Sequence, residues 1–547
     1  MKVIGVSAPL KSSGLRRMLD ALSEILNVRF EERTFGDDAG IDAWLFPEAD
    51  HEAQRRITYC NCPCYAVIQS VQLVPCGLST TIEFSRHHIL PPVLAGRRIR
   101  SDEVGKMTAV PYQSENLVVL ASKAEAPVWA MQEIDGRQHH YVSSPIPELN
   151  KGEAIFQYFH GEQFLSLLPF LVFVRGLTGD EGWEKPPLQA CFMFDDPNLH
   201  WRTYGFVDFA EIAAHAQMYN YHVSFATIPL DKWFVHKPTA SLFRQYRDRL
   251  SLLIHGNNHV AQELAMPYGD EGLNRDLRQA LRRVNEFELH SGVEVSSVMA
   301  PPHGACSERA LEQMAQLGFE AVYVSRGSLS RHNGQAPWVR TLGMKPSDIV
   351  AGLTILPRFR ISRTCHNSIL IAALLDQPII PVGHHHDVAD GLQLLAELSG
   401  FVNSLGKVRW ADMKGISRSH YARKLEGNIL RVRMFTNRIE VRLPEGADQI
   451  LVEQKWTQGT KSVPLAWKHQ GDGSEWKLHR PDEPISVPAS QTIEIVAEPP
   501  TPPFIDATSV RNFRFWPVVR RQLTEARDRL APVVRRVSTF ATKSNET

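Results

Sequence analysis

Between Leu188 and Trp410 the chain repeats one unit: a short apolar run, a turn that often carries histidine or aspartate, and a segment with helical spacing. The apolar runs are Ala190–Phe194, Val223–Thr227, Leu252–His255, Ser297–Ala300, Ala321–Val324, Leu353–Leu356 and Ile379–Val382. Short apolar runs that do not alternate with polar residues are the mark of strands buried on both faces, which pair in parallel through helical crossovers. Seven such units over roughly 220 residues predict a (β/α) barrel, a fold that carries its chemistry at the carboxyl ends of the strands.

The flanking segments have other rhythms. Residues 1–178 mix strand-like runs (Val3–Val6, Ala43–Phe46, Tyr65–Ile68, Asn116–Ala121) with helical patterns at Leu15–Ile25 and from Gly152 into Leu165–Phe173. This predicts an N-terminal α/β domain. It resembles glutamine-amidotransferase-like folds but has no G-x-C-x-G nucleophile turn, so an accessory, non-catalytic role is expected. The stretch Gly179–Pro187 reads as a surface linker. After Trp410, runs at Ile429–Phe435, Arg438–Leu443, Gln449–Glu453 and Gln491–Ala497 predict a β-sandwich-like domain over 411–500.

A proline-rich hinge at Glu498–Phe504 leads into a helical tail over 501–547 with nine Arg or Lys against four Asp or Glu. Phe515, Trp516, Val518, Val519, Leu523 and Leu530 supply an apolar face. Packing on the chain's own domain is the plainer expectation; a peripheral membrane or protein contact is the alternative.

Composition narrows the function. Lys plus Arg equals Asp plus Glu, at 60 each in 547 residues, so no basic excess points to nucleic acid. Seven cysteines in no framework spacing predict a reducing compartment, with the cytoplasm the first expectation. The first residues lack a sustained apolar core of the export type, and the greasiest run, Phe164–Val174, is shorter than the roughly 20 residues a bilayer requires.

Chemistry-bearing residues collect where the apolar runs of 188–410 end. Asp195 and Asp196 close the first, offering a metal ligand and a base. His255 and His259 follow the third at i and i+4, so a single helical turn would aim both imidazoles one way, and two imidazoles with one carboxylate make a catalytic metal site. Pro301, Pro302 and His303 follow the fourth run, and His384, His385, His386 and Asp387 the last. Cys60, Cys62 and Cys64 stand at i, i+2 spacing, unlike the C-x2-C of zinc sites, and are expected to be idle thiols. His87, His88, His139 and His140 have no carboxylate motif beside them and are expected to be structural or at the surface.

In this order the four stretches resemble the polysaccharide deacetylase superfamily, of the carbohydrate esterase family 4 type, over about residues 188–405. Met193–Asp196 corresponds to its T-F-D-D motif, His255–His259 to H-[ST]-x-x-H, Ala300–His303 to R-x-P-[YFW], and Val382–His384 to L-x-H. Intervals of 59 residues from Asp196 to His255 and 81 from His303 to His384 leave room for the intervening units. The chain departs from the pattern at Gly256, Ala300 and His303, where the family has a hydroxyl residue, an arginine and an aromatic residue. The missing cation is expected from Arg202, Arg358 or Arg360.

The resemblance implies a divergent member. Asp196, His255 and His259 would hold a divalent metal, with zinc expected. Asp195 would be the base, a loop N–H near His303 would steady the oxyanion, and His384 or a neighbour would be the acid that releases the amine. The implied activity is removal of an N-acetyl group from a carbohydrate. Two alternatives stand beside it: a non-catalytic carbohydrate-binding or assembly protein, and a glycoside hydrolase using Asp195 and Asp196. Adjacent side chains on a strand point oppositely, which suits a flanking carboxylate pair poorly.

Overall fold

The computed structural model describes the chain except residues 8–9, 11, 69–80, 101–109, 111–115, 159–163, 180–181, 268, 455–462, 472–474, 481–482, 498–514 and 545–547. The proline-rich hinge at 498–504 therefore lies outside the described residues. Two compact units emerge: residues 1–181 with 334–345 and 366–375, and residues 182–333 with 346–365 and 376–547.

Among the described residues the first unit is built on a nine-stranded mixed sheet. Val28–Arg33, Lys2–Ser7, Ala43–Ala49, Cys64–Ile68 and Arg137–Val142 run in parallel, and the row continues antiparallel through Ala126–Ile134, Leu117–Lys123, Thr81–Phe84 and Arg98–Arg100. The fully buried Tyr65 side chain meets Phe170 of helix Phe164–Thr178 edge to face, 5.0 Å between centroids. His140 is buried and accepts from Trp129 Nε1 at 3.1 Å, and burial holds its pKa down at about 3, so it serves as a neutral acceptor in the core.

In the second unit, seven parallel strands lie in the order Leu353–Pro357, Ala321–Val324, Val295–Met299, Leu250–Ile254, Val223–Thr227, Phe192–Asp195 and Pro381–Gly383. Asp348–Val350 adds an antiparallel edge, and Phe359–Arg360 the opposite, parallel edge. The runs read from the sequence are these strands to within a few residues, because each is buried on both faces. Among the described residues the pairing is one row of nine with two ends, which does not by itself establish the expected (β/α) barrel. The start of the first run splits off: Leu188–Ala190 pairs with Val408–Trp410, and Phe192–Asp195 alone enters the main row.

Among the described residues of 421–497 the strands form two four-stranded sheets. Inward residues of both, including Val432, Ile439, Val441, Ile450, Ile493 and Ile495, share one apolar cluster. Helix Phe515–Ser544 belongs to the same unit.

Candidate active site

Asp195, Asp196, His255, His259, His303 and His384 sit at or beyond the carboxyl ends of parallel strands. Asp195 closes Phe192–Asp195, and Asp196 leaves the sheet with φ 84°, its N–H donating to the Ala226 carbonyl at 3.1 Å. His255 follows Leu250–Ile254, with its Nδ1 2.7 Å from the Ala300 carbonyl. That contact places the proton on Nδ1 and leaves the Nε2 lone pair facing away from the carbonyl, toward Asp196.

The Nε2 atoms of His255 and His259 stand 3.6 and 3.1 Å from Asp196 Oδ1. This oxygen is buried and has no hydrogen-bond partner. Burial lowers the pKa of His255 to about 4, so it is neutral at physiological pH. Burial raises that of Asp196, but the close approach of the His259 imidazole, with the charges of His255 and Arg521, overcomes this and leaves it well below the usual carboxylate range. The ligand atoms of two imidazoles and a carboxylate thus lie within 4.8 Å of one another, and the donor set suits a divalent ion of the zinc kind.

The loop that carries the histidines is held from beneath. Glu263, 2% exposed, accepts the backbone N–H groups of Asn257, Asn258 and His259 at 2.9, 2.7 and 3.2 Å. Arg283 donates to the side-chain oxygens of Asn257 and Asn258 at 2.7 and 2.9 Å. Gly256 has φ 63°, and a Cβ there would stand 2.4 Å from Glu263 Oε2 and 2.5 Å from Pro302 Cγ. The carboxylate of Glu263 therefore does the work expected of a hydroxyl at 256, and glycine is what lets it approach. His259 at φ 55° and His303 at φ 57° share with Asp196 the left-handed backbone region, which costs a non-glycine residue on the order of 1 kcal/mol or more and collects at functional sites.

Asp195 is buried and paired with Arg358, Nη1 to Oδ1 2.8 Å. Burial pushes its pKa up, and Arg358, His255 and His384 together bring it below the usual value, so it is ionised. Of the three arginines proposed for this place, Arg358 is the one that fills it. Arg202 is largely exposed beside Asp208, and Arg360 is exposed on its edge strand.

The histidine triplet divides. His385 is buried between Tyr204 and Phe206, and the His386 ring lies 5.6 Å from that of Phe206. His384 is exposed, and its charge bears on both Asp195 and His303. His303 is also exposed, its ring 5.0 Å from that of His259. Asp195, Asp196, His255, His259, His303 and His384 therefore face one place.

Among the described residues a second three-residue group gathers His385, His386 and Asp528, but Asp528 already accepts from Tyr204 at 2.9 Å and from Arg527 at 2.7 Å. Cys60, Cys62 and Cys64 lie in the first unit, with the first two sulfurs 3.7 Å apart.

Sequence reading missed the part played by helix Phe515–Ser544. Arg521, 3% exposed, donates to Asp231 Oδ2 at 2.7 Å and to the backbone carbonyl of Asp196 at 3.1 Å. Glu525 meets His200 at 3.2 Å, and Arg529 donates to Asn198 and to the Thr203 carbonyl at 2.9 and 2.7 Å. The expected packing on the chain's own domain is there, with charged residues at the buried positions and, of the apolar face, only Val518 and Val519 half-buried.

A parallel sheet with two imidazoles, a ligand carboxylate and a second, arginine-paired carboxylate at its carboxyl edge defines the class: an α/β protein with a candidate metal centre of two histidines and one aspartate. The chain is similar to carbohydrate deacetylases of known structure. The deacetylase Agd3 matches at 10% identity and a TM-score of 0.45, over 92% of this chain and 99% of that one. A putative polysaccharide deacetylase from Mycobacterium smegmatis matches at 14% and 0.30, over 43% and 90%. A family 4 carbohydrate esterase from Streptomyces lividans, in complex with acetate, matches at 10% and 0.26, over 42% and 94%. No protein-family model and no curated protein sequence matches the chain. No helix among the described residues is long and apolar enough to cross a membrane.

Proposed function

We propose that the chain is a metal-dependent hydrolase that removes an N-acetyl group from a carbohydrate. The observation that carries this reading is the partnerless buried Oδ1 of Asp196 facing the Nε2 atoms of His255 and His259, with the ionised Asp195 as its sequence neighbour. The substrate class follows from the order of the four motifs. The row of parallel strands is read as the opened counterpart of a (β/α) barrel, with 1–178 as an accessory domain, 411–500 as a β-sandwich and 501–547 as a helical tail.

Asp196, His255 and His259 would hold the ion, zinc being the expected one. Bound there, it would supply Lewis acidity toward an acetamide carbonyl and a water. Asp195 would take the proton from the water that attacks the carbonyl carbon, and Arg358 keeps the carboxylate charged and oriented. An N–H of the His303 loop steadies the developing oxyanion. His384 gives a proton to the nitrogen as the C–N bond breaks, leaving acetate and a free amine.

Elemental analysis of the purified chain beside His255→Ala tests the metal, with about one divalent ion per chain expected and lost in the variant. Acetate release from N-acetylated sugars and oligosaccharides tests the reaction. Asp195→Asn should keep the metal and lower turnover by about 10²–10⁴-fold; near-normal activity in that variant would sink the assignment. Metal binding with no acetate release from any acetylated carbohydrate would favour a binding protein, and reducing-end release a glycoside hydrolase.

A further inference from the structure

Helix Phe515–Ser544 is packed inside out. Arg521, Glu525 and Asp528, at i, i+4 and i+7, form its buried side and are all engaged by Asp231, His200 and Tyr204. Trp516, Leu523 and Leu530, spaced by seven, line up on the opposite side and are 70%, 66% and 57% exposed. Phe515, Val533 and Val534 extend this outward stripe, and all three are exposed. An amphipathic helix on a water-soluble domain ordinarily turns its apolar stripe to the core. Here the buried positions are polar, and the stripe of Trp516, Leu523 and Leu530 lies outward.

Charge decides what could cover the stripe. Arg520 and Arg527 border it, both exposed, the latter beside the inward-turned Asp528. The helix has only two acidic residues, Glu525 and Asp528, and both point inward into pairs already made. A second copy laid along the stripe would find arginines at its borders and no outward carboxylate to pair with them, which disfavours a coiled-coil dimer. An anionic lipid surface accepts both features, taking the apolar side chains into its headgroup boundary while its phosphates meet the arginines.

We infer that helix Phe515–Ser544 seats the protein on membranes rich in anionic lipid, with Trp516, Leu523 and Leu530 as the inserted side chains. The inference does not depend on the reaction assigned to the site. Because the inner side of the same helix holds the carbonyl of Asp196 through Arg521, the membrane lies on the far side of an element that touches the candidate metal centre.

Vesicle flotation with the full chain tests it, using equimolar phosphatidylglycerol and phosphatidylcholine against phosphatidylcholine alone. The wild type should float with the anionic vesicles, and raised salt should weaken binding. A Leu523→Glu/Leu530→Glu double variant should lose about tenfold or more in vesicle affinity, and Arg520→Glu should lose several-fold. Both variants are at exposed positions, so an unchanged circular dichroism spectrum and unchanged metal content exclude misfolding as the cause. No flotation of the wild type, or equal flotation of the double variant, overturns the inference. A concentration-dependent dimer in solution that the double variant abolishes would likewise overturn it and assign the stripe to a second copy.

Discussion

Gly256 shows how closely the loop of His255 and His259 is drawn around a single carboxylate. Alanine there would bring a Cβ into Glu263 and Pro302 and would have to hold φ 63°. Gly256→Ala is therefore expected to displace the N–H groups that Glu263 gathers and to weaken metal binding by about 10–100-fold, as disturbed supporting contacts do; competition with a chelator measures it. Metal affinity equal to wild type would mean that the loop does not depend on this approach. Asp196, His255 and His259 were legible in the sequence because each stands where an apolar run stops, and strand ends are local signals. Glu263 and Arg358 were not resolvable in the same way. Glu263 acts by folding back on a loop whose shape depends on a positive φ, and Arg358 was one of three candidates that only the strand order separates.

At the scale of elements, the inverted helix makes a prediction about acid. Burial alone raises Glu525 and Asp528. His200 with Arg529, and His385 with Arg527 and Tyr204, overcome it and hold each at about 2, against ordinary values of 4.5 and 3.8. Carboxylates held low in the folded state stabilise docking fully above their ordinary values and lose that contribution as pH falls toward the lowered ones. Amide protection in the helix, corrected for intrinsic exchange, should accordingly fall between about pH 4.5 and 2, and Asp528→Asn should remove part of that transition. Protection that stays flat to about pH 2.5 would show that the pairs do not hold the helix. Strands were legible to within a few residues because burial on both faces leaves an unmistakable run. The helix existed in the sequence as a pattern, but its orientation did not, since a stripe of apolar residues is silent about which side meets protein.

Over the whole second unit, one arginine joins layers that the sequence suggested were separate domains. Arg418 grips Glu320, which leads into strand Ala321–Val324, at 2.7 and 2.8 Å, and also pairs with Glu440 and with Glu494 at 3.3 Å, both on the strands of 421–497. Arg418→Ala takes the bidentate partner from the buried Glu320, leaving it Arg438 at 3.8 Å, while Glu494 keeps Arg438 and Lys468, and should cost about 1–3 kcal/mol. Thermal unfolding read by both near-ultraviolet and far-ultraviolet signals would show a lowered midpoint, and an unchanged midpoint would rule the network out as a brace. The discontinuous make-up of the first unit, with 334–345 and 366–375 returning to it, was invisible in the sequence because composition and periodicity do not record where a chain comes back. The inside-out helix also alters what shortening this protein would do. Cutting away a packed terminal helix usually exposes a greasy trough and invites clumping. Here much of the uncovered ground would be polar, Asp231, His200, Asn198 and the Tyr204 hydroxyl, while the discarded piece carries the oily stripe. The trimmed protein should be the better-behaved one in a test tube, and the intact protein the one that calls for detergent.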